Sequence, residues 1–489
     1  MNIPHLLSMI IFTPVVGIII LLFTDSRRHN FIRWFSAIIT LISLILTILA
    51  FKQFNYSSSE IQLVEKATWI PQFNIKYFLG VDGMSLPIFF LTALLSFIAC
   101  IGSFGIKERV KEYFILYLLL VTGMLGVFCA LDMILFYVFW EIVLVPMYFL
   151  IGIWGGPKRE YAAIKFFLYT LFGSVVMLLG ILALYFNSNP HTFDMMEIIA
   201  QRGAFTMTFQ IIVWLAMFLG FAIKVPIFPF HTWLPDAHVE APTAISVLLA
   251  GILLKMGGYG FIRLSFPMLP DASKYFATFF AVLGLINIVY GALVAMAQKD
   301  LKKLIAYSSV SHMGYVLLGF AAMTQMGYIG GVLQMFNHGI ITGALFLLVG
   351  VIYDRAHERD VYAFGGLGKI MPVYFGIMTF SCLASLGLPG LAGFVSEFLS
   401  LMGAFTVFKI IVIISASGII VTAAYFLWTL QRMFMGPENP KWANLPDMNG
   451  RELFTLIPLM VFMLLIGVYP KIIVNIMNPT ITYLVGLMH

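Results

Sequence analysis

Runs of roughly 20 apolar residues, separated by short polar clusters, recur along this chain from end to end. About 20 is the number a helix needs to cross ~30 Å of hydrocarbon. Fourteen such runs are predicted, centred near residues 14, 41, 93, 121, 143, 174, 220, 252, 285, 313, 340, 385, 420 and 463. The segments between them are mostly too short to fold as a soluble domain. The two longest polar stretches, 52–82 and 187–209, are expected to be loops.

Composition agrees with that pattern. Hydrophobic residues make up 61% of the 489 and charged residues only 10%, with a mean hydropathy of +0.99. Soluble domains run near a quarter charged, so a water-facing fold is excluded. The first run is expected to be retained, because no small-residue cleavage site follows it. Cys100, Cys129 and Cys382 stand alone in apolar runs, without the paired spacing of a disulfide framework, a zinc site or an iron–sulfur cluster.

Basic side chains set the expected orientation, since Lys and Arg are retained in cytoplasmic loops. With fourteen crossings both termini share a side. Placing them outside puts 18 of the 28 Lys and Arg residues at inner loops, 8 at outer segments and 2 within spans. Clusters such as DSRRHN (25–30), IKERVK (106–111), GPKRE (156–160) and QKDLKK (298–303) dominate the inner count. This bias accounts for the net charge of +6 without a nucleic-acid partner.

The two cations left inside spans are Lys224 and Lys255, and a lysine at mid-bilayer costs roughly 2.5–3.5 kcal/mol on insertion scales. Glu141, Glu397, His312 and His338 lie at similar depth. Each has a plain structural explanation. Glu141 and Lys224 could be an ion pair that merely locks two helices. Either histidine could be a hydrogen-bonded core residue. Lys255 could snorkel to a helix end, and Glu397 could be partly solvated. Six such groups on several helices, however, usually trace an ion or proton path. Lysine and carboxylate affinities respond to burial and to nearby charge, and histidine titrates near neutrality, so all six can carry protons.

Two runs contain helix breakers. Pro226 follows Lys224 by two positions, and its missing N–H should break the seventh run there. The twelfth carries SLGLPGLAGFVSEF, where Pro389 and Gly390 should unwind the chain just before Glu397. Irregular backbone at membrane depth is tolerated only where protein or a water-filled cavity satisfies it. Matching interruptions suggest an inverted-repeat transporter. The expected organisation is residues 1–111 with helices 1–3, a five-helix unit over 112–264, an inverted five-helix unit over 274–435, and helix 14 with a tail over 436–489. That repeat rests on topology, because the halves show no convincing residue identity.

The stretches KVPIFPFHTWLPDAHVEAPTAISVLLAG and QKDLKKLIAYSSVSHMG, with FWE in the fifth run, resemble the antiporter-like membrane subunits of respiratory complex I. The likeness covers essentially the whole chain. It implies fourteen helices, two inverted five-helix units and broken helices 7 and 12. Glutamate at the twelfth-helix position, where most relatives have lysine, is similar to the branch called subunit M or mitochondrial chain 4. The lateral helix of the largest member is not expected here.

By that resemblance Glu141 and Lys224 would form an ion pair in the first half-channel, and Lys255 would connect the halves. His312 and His338 would line the axis, and Glu397 would be the outward terminal carrier. Protons would move from cytoplasm to periplasm across a bacterial inner membrane. The chain itself has neither a dinucleotide fingerprint nor a Walker lysine loop. NADH, FMN, iron–sulfur clusters and quinone are therefore expected in partner subunits, and neighbouring antiporter-like subunits as partners. The alternatives are a subunit of a multisubunit sodium/proton antiporter or membrane-bound hydrogenase, and a passive scaffold or quinone-binding subunit.

Overall fold

Polar residues at the edges of the apolar runs close the helices. In the computed structural model, which describes residues 3–488, the first helices are α1 (Leu6–Phe23), α2 (His29–Gln53), α3 (Ser85–Gly102), α4 (Val110–Val127), α5 (Met133–Trp154) and α6 (Arg159–Asn187). Then follow α7 (Met207–Lys224), α8 (Trp233–Glu240), α9 (Thr243–Met268), α10 (Ala277–Met296), α11 (Leu301–Ala321) and α12 (Gln325–Ala356). The last are α13 (Pro372–Ser385), α14 (Ala392–Phe405), α15 (Lys409–Phe434), α16 (Gly450–Val468) and α17 (Lys471–Met488). Asp132, Thr206, Asp300 and Thr324 cap α5, α7, α11 and α12 through their side-chain oxygens, and Asn449 with Glu452 forms a capping box on α16. Each cap satisfies amide donors that the first turn of a helix leaves free.

Burial separates the helices into two classes. The apolar window is 100% buried in α9 and α12 and 94% buried in α11, but only 39%, 33% and 28% buried in α1, α15 and α16. The first three form the centre. The outer helices turn residues such as Phe23, Ile410 and Val468 outward, and an apolar surface of that extent suits lipid, not water. The chain is a multi-pass membrane protein. Helices in such bundles approach closely through small residues: a Cβ built on Gly314 of α11 would lie 2.7 Å from the carbonyl oxygen of Gly284 on α10.

Both expected interruptions are present. α7 ends at Lys224, and the chain resumes as α8 at Trp233. The carbonyls and amides released there find side chains. Trp233 Nε1 donates to Ile223 O at 2.9 Å, and Asn287 of α10 both donates to Pro226 O and accepts from Phe228 N. In the second interruption α13 stops at Ser385 and α14 begins at Ala392. Gly387 and Gly390 bracket Pro389 at φ +82° and +94°, a region that a side chain disfavours. Asn337 donates to Ala392 O at 2.7 Å and ties the second break to α12.

Two features depart from the sequence expectation. The stretch 52–82 is not only loop: Gln62–Ile70 (β1) and Ile75–Val81 (β2) pair as an antiparallel hairpin. The run QLVEKATWI shows no clean alternation of apolar and polar residues, the signal of a half-buried strand, so its sequence did not mark it. Glu65 on β1 accepts from the amides of Leu7 and Ser8 at the start of α1. A short helix, Met195–Ala200, lies in the second polar stretch.

The other difference concerns the tail. α17 is long and apolar enough to cross a membrane by composition, yet its contacts lie at one end of the bundle. Thr480 accepts from Gly83 N ahead of α3, and Gln325 at the start of α12 donates to Asn478 and Thr482. α17 therefore lies across the end that carries the hairpin. Counting α7 with α8 and α13 with α14, fourteen crossings remain.

Candidate functional site

The three most buried helices carry the polar groups. Lys255 sits in α9 between two π-helical turns, Leu249–Leu253 and Phe261–Ser265. Such turns redirect carbonyls away from the ordinary helical ladder. Lys255 Nζ donates to Ala250 O at 2.5 Å and lies 2.6 Å from Nδ1 of His338 on α12. No acidic side chain is paired with it among the described residues. Nε2 of His338 has no partner there either, and its ring centroid lies 5.9 Å from that of His312 on α11.

His312 joins the broken α13–α14 element. Its Nδ1 is 2.8 Å from Oε1 of Glu397, and its Nε2 is 3.1 Å from Ser385 Oγ. The Ser385 hydroxyl can donate to neutral Nε2 or accept from a protonated one, so it serves either state of the ring. Gln334 donates to Glu397 Oε1 at 3.3 Å, Ser396 donates to Gln334, and Asn337 donates to Ser396. A buried carboxylate needs such partners to stay charged. A cavity of about 10 Å³ is lined by both histidines and Glu397, with Thr342 and Ser385. That volume suits one water.

The structure thus brings four of the six sequence-predicted groups into one line, Lys255–His338–His312–Glu397, drawn from α9, α12, α11 and α14. The other two stand apart. Lys224 is 1% exposed, with its ammonium 5.3 Å from the ring of Trp140 and 5.7 Å from that of Phe166. No ion pair joins it to Glu141. Trp140 and Glu141 are successive residues of α5, roughly 100° apart around the helix; the Trp140 ring meets the Lys224 ammonium, while Glu141 acts on it through its charge without direct contact. Glu141 is half-buried on the helix face of Val145 and Phe149, and its buried Oε1 has no partner. Pro226, Pro389 and Gly390 lie in the two breaks, beside Lys224 and ahead of Glu397.

Several residues escaped the sequence reading. His238 on α8 is fully buried and stacked on Phe346 at 4.5 Å, with both ring nitrogens unpartnered. His231, 2% exposed, packs against Tyr290 and Tyr307. Both lie in the motif that opens with Lys224, where only the lysine and prolines drew attention. Lys302 counted merely as inner-face charge, yet it is 4% exposed. Arg263 of α9 forms a buried ion pair with Asp82. Gln334 stands four residues before His338, a one-face spacing that could have revealed it. The three cysteines are buried and free.

A family model described as "NADH:quinone oxidoreductase/Mrp antiporter, TM" matches residues 130–422. The chain is 42% identical over 481 residues to NADH-quinone oxidoreductase subunit M of Rickettsia prowazekii, with 97% of each covered. It is 44% identical to NADH-ubiquinone oxidoreductase chain 4 of Arabidopsis thaliana, with 98% of this chain and 97% of that one covered. Among solved structures it superposes on a chain of respiratory complex I from Thermus thermophilus with bound NADH, at a TM-score of 0.91 and 30% identity, covering 99% of this chain and 100% of that one.

Proposed function

This chain belongs to the NADH-quinone oxidoreductase subunit M (chain 4) family of antiporter-like membrane subunits, and from that premise we propose that it carries protons across the membrane. The observation that carries the reading is the buried line Lys255–His338–His312–Glu397. An amine, two imidazoles and a carboxylate follow one another there within hydrogen-bonding or single-water reach. Each group can take up a proton and pass it on. A proton on Lys255 can move to Nδ1 of His338, whose free Nε2 faces the gap toward His312. His312 passes it to Glu397, held by Gln334. Lys224 and Glu141 would load the line from the first half. Their separation is the open state of a switch that closes when the two side chains approach.

Direction is assigned from charge. The end bearing Arg27, Lys107, Lys158 and Lys299 is cytoplasmic, and the hairpin, α17 and both termini face the periplasm of a bacterial inner membrane. Glu397 would then be the carrier toward the outside. NADH oxidation and quinone reduction, with their flavin and iron–sulfur clusters, belong to partner subunits. Glu141 is consistent with the partner assignment: it is half-buried on the helix face that also carries exposed Val145 and Phe149, and a neighbouring membrane-arm subunit seated on that face would cover a carboxylate that is costly against lipid. Moving one proton against ~100 mV takes about 2.3 kcal/mol, within reach of switching a buried pair.

The test uses the intact complex in proteoliposomes, energised with NADH and quinone. Glu397→Gln and Glu141→Ala should abolish the proton gradient formed per NADH oxidised while the assembled complex is retained. Wild-type pumping in both would overturn the reading. Co-purification of flavin- and iron–sulfur-binding chains is expected; their absence in favour of antiporter chains alone would move the assignment to sodium/proton exchange.

A further inference from the structure

α17 lies over a gap that the upright helices leave at the hairpin end of the bundle. The gap is a cavity of about 610 Å³ between α2, α3, α12, α16 and α17. Four phenyl rings from the first four of those helices wall it and pack against one another in sequence. Phe51 meets Phe90 with ring centroids 5.6 Å apart, Phe90 meets Phe462 at 5.7 Å, and Phe462 meets Phe336 at 6.4 Å, each pair edge to face. Ile466 and Ile473 are buried beside the rings, whereas Ile48, Leu465 and Ile472, which also line the cavity, are exposed. The space therefore opens on the outward apolar surface.

Water is a poor filler for such a space. A buried water needs about two to four polar partners, and this inner wall is phenyl and aliphatic carbon. Close-packed interiors hold few voids larger than a water, so a gap of this size beside lipid suits a hydrocarbon chain. Ligand pockets of roughly 300–1,000 Å³ combine apolar walls with a few placed polar groups. Here the polar groups come from where α17 begins, as Tyr469, Lys471 and Asn475, and from the loop after α2, as Tyr56. Among the described residues, neither the Lys471 ammonium nor the Asn475 amide has a side-chain partner. Side-chain hydrogen bonds tie α17 down only in its later half, through Asn478, Thr480 and Thr482. Its first two turns instead lay Ile473 and Ile476 over the cavity.

We propose that this cavity binds an anionic phospholipid, with one acyl chain between the phenyl rings and the phosphate against Lys471. Charge complementarity selects the headgroup: an ammonium without an acidic partner borders an apolar slot, and lysine binds phosphate as a point charge. Asn475 can donate to a second phosphate or ester oxygen. Tyr56 and Tyr469 are the amphipathic rings found at headgroup level, which sets the mouth at the membrane interface of the hairpin end. The bound chain fills the space under α17 and braces that helix against α16 and α12. This site does not depend on the proton-carrying reading above.

The test uses the intact complex in detergent, incubated with phosphatidylglycerol or phosphatidylcholine that carries a photoreactive diazirine in one acyl chain. After irradiation, labelled peptides are mapped by mass spectrometry. Phosphatidylglycerol is expected to label the segments holding Phe336, Phe462 and Leu465, and excess unlabelled phosphatidylglycerol to compete. Lys471 is exposed, so Lys471→Gln should assemble. Loss of one interfacial lysine weakens attraction to an anionic lipid about fivefold, and the phosphatidylglycerol label should fall by that factor while the phosphatidylcholine label holds. Leu465→Trp, which puts an indole into the slot, should suppress both labels at Phe336. Labelling confined to outward faces such as that of Ile410 would mean ordinary bulk lipid and overturn the site. So would absence of label at Phe336 because a neighbouring subunit covers the mouth, or displacement of the label by quinone and not by phospholipid. Equal labelling by both lipids in Lys471→Gln and wild type would overturn the anionic headgroup and the proposal with it.

Discussion

Lysine, histidine and glutamate differ in how easily each sheds a proton at depth, and the order in which they meet here matters more than their number. Lys255 has an imidazole for a partner and no carboxylate, so nothing pins its charge. Glu397, at the far end, has a histidine and a glutamine. Ser385 is the least conspicuous member: it holds His312 Nε2 in either protonation state. Removing its hydroxyl should cost about 1 kcal/mol of net hydrogen bonding, and with it the alignment of the ring. Ser385→Ala is expected to slow NADH-driven pumping several-fold, by about the tenfold that 1.4 kcal/mol represents at most, whereas Ser385→Thr restores it. Equal rates in the two variants would show that the hydroxyl plays no part. The polar identities were legible in the sequence. The pairing of Lys255 with His338 was not, because 83 residues separate them and only packing brings α9 against α12.

At the scale of elements, the breaks were readable because their cause is local. A proline without an N–H stops α7 whatever surrounds it, and Gly-Leu-Pro-Gly can hardly remain helical. What packing added was the means of tolerating them: Asn287 and Trp233 at one break, Asn337 at the other. Gly390 offers a clean test, since nothing lies within 4 Å of a Cβ built there and the whole penalty falls on its φ of +94°. Gly390→Ala should cost about 1–2 kcal/mol, and Gly390→Val more, because a β-branched side chain is worse at positive φ. Heat resistance of the purified complex should fall in that order; an unchanged valine variant would mean the turn is not held in this form. The π-helical turns flanking Lys255 were not foreseeable, since no residue type in LAGIL or FIRLS marks them.

For the whole molecule, the distribution of Lys and Arg implies a sidedness, and the fold implies that both termini share it. α17 lies flat against the hairpin end and does not make a fifteenth crossing, because Gly83 and Gln325 hold it there. A reporter active only outside the cytoplasm, fused after residue 489, should therefore be active, and the same reporter in the loop between α2 and β1 should match it. Activity from a fusion in the Lys299 segment instead would reverse the orientation and the direction of transfer with it.

Hydrophobic length, breaker positions and the identities of the buried charges belong to the chain as written, since each depends on neighbours a few residues away. Contacts across the bundle do not. α5 aiming Trp140 and not Glu141 at Lys224, α12 delivering His338 to Lys255, and α11 setting Lys302 under the end of α8 were decided only when the helices packed. Helical rotation and register determine which side chains meet, and those are settled collectively by the whole bundle.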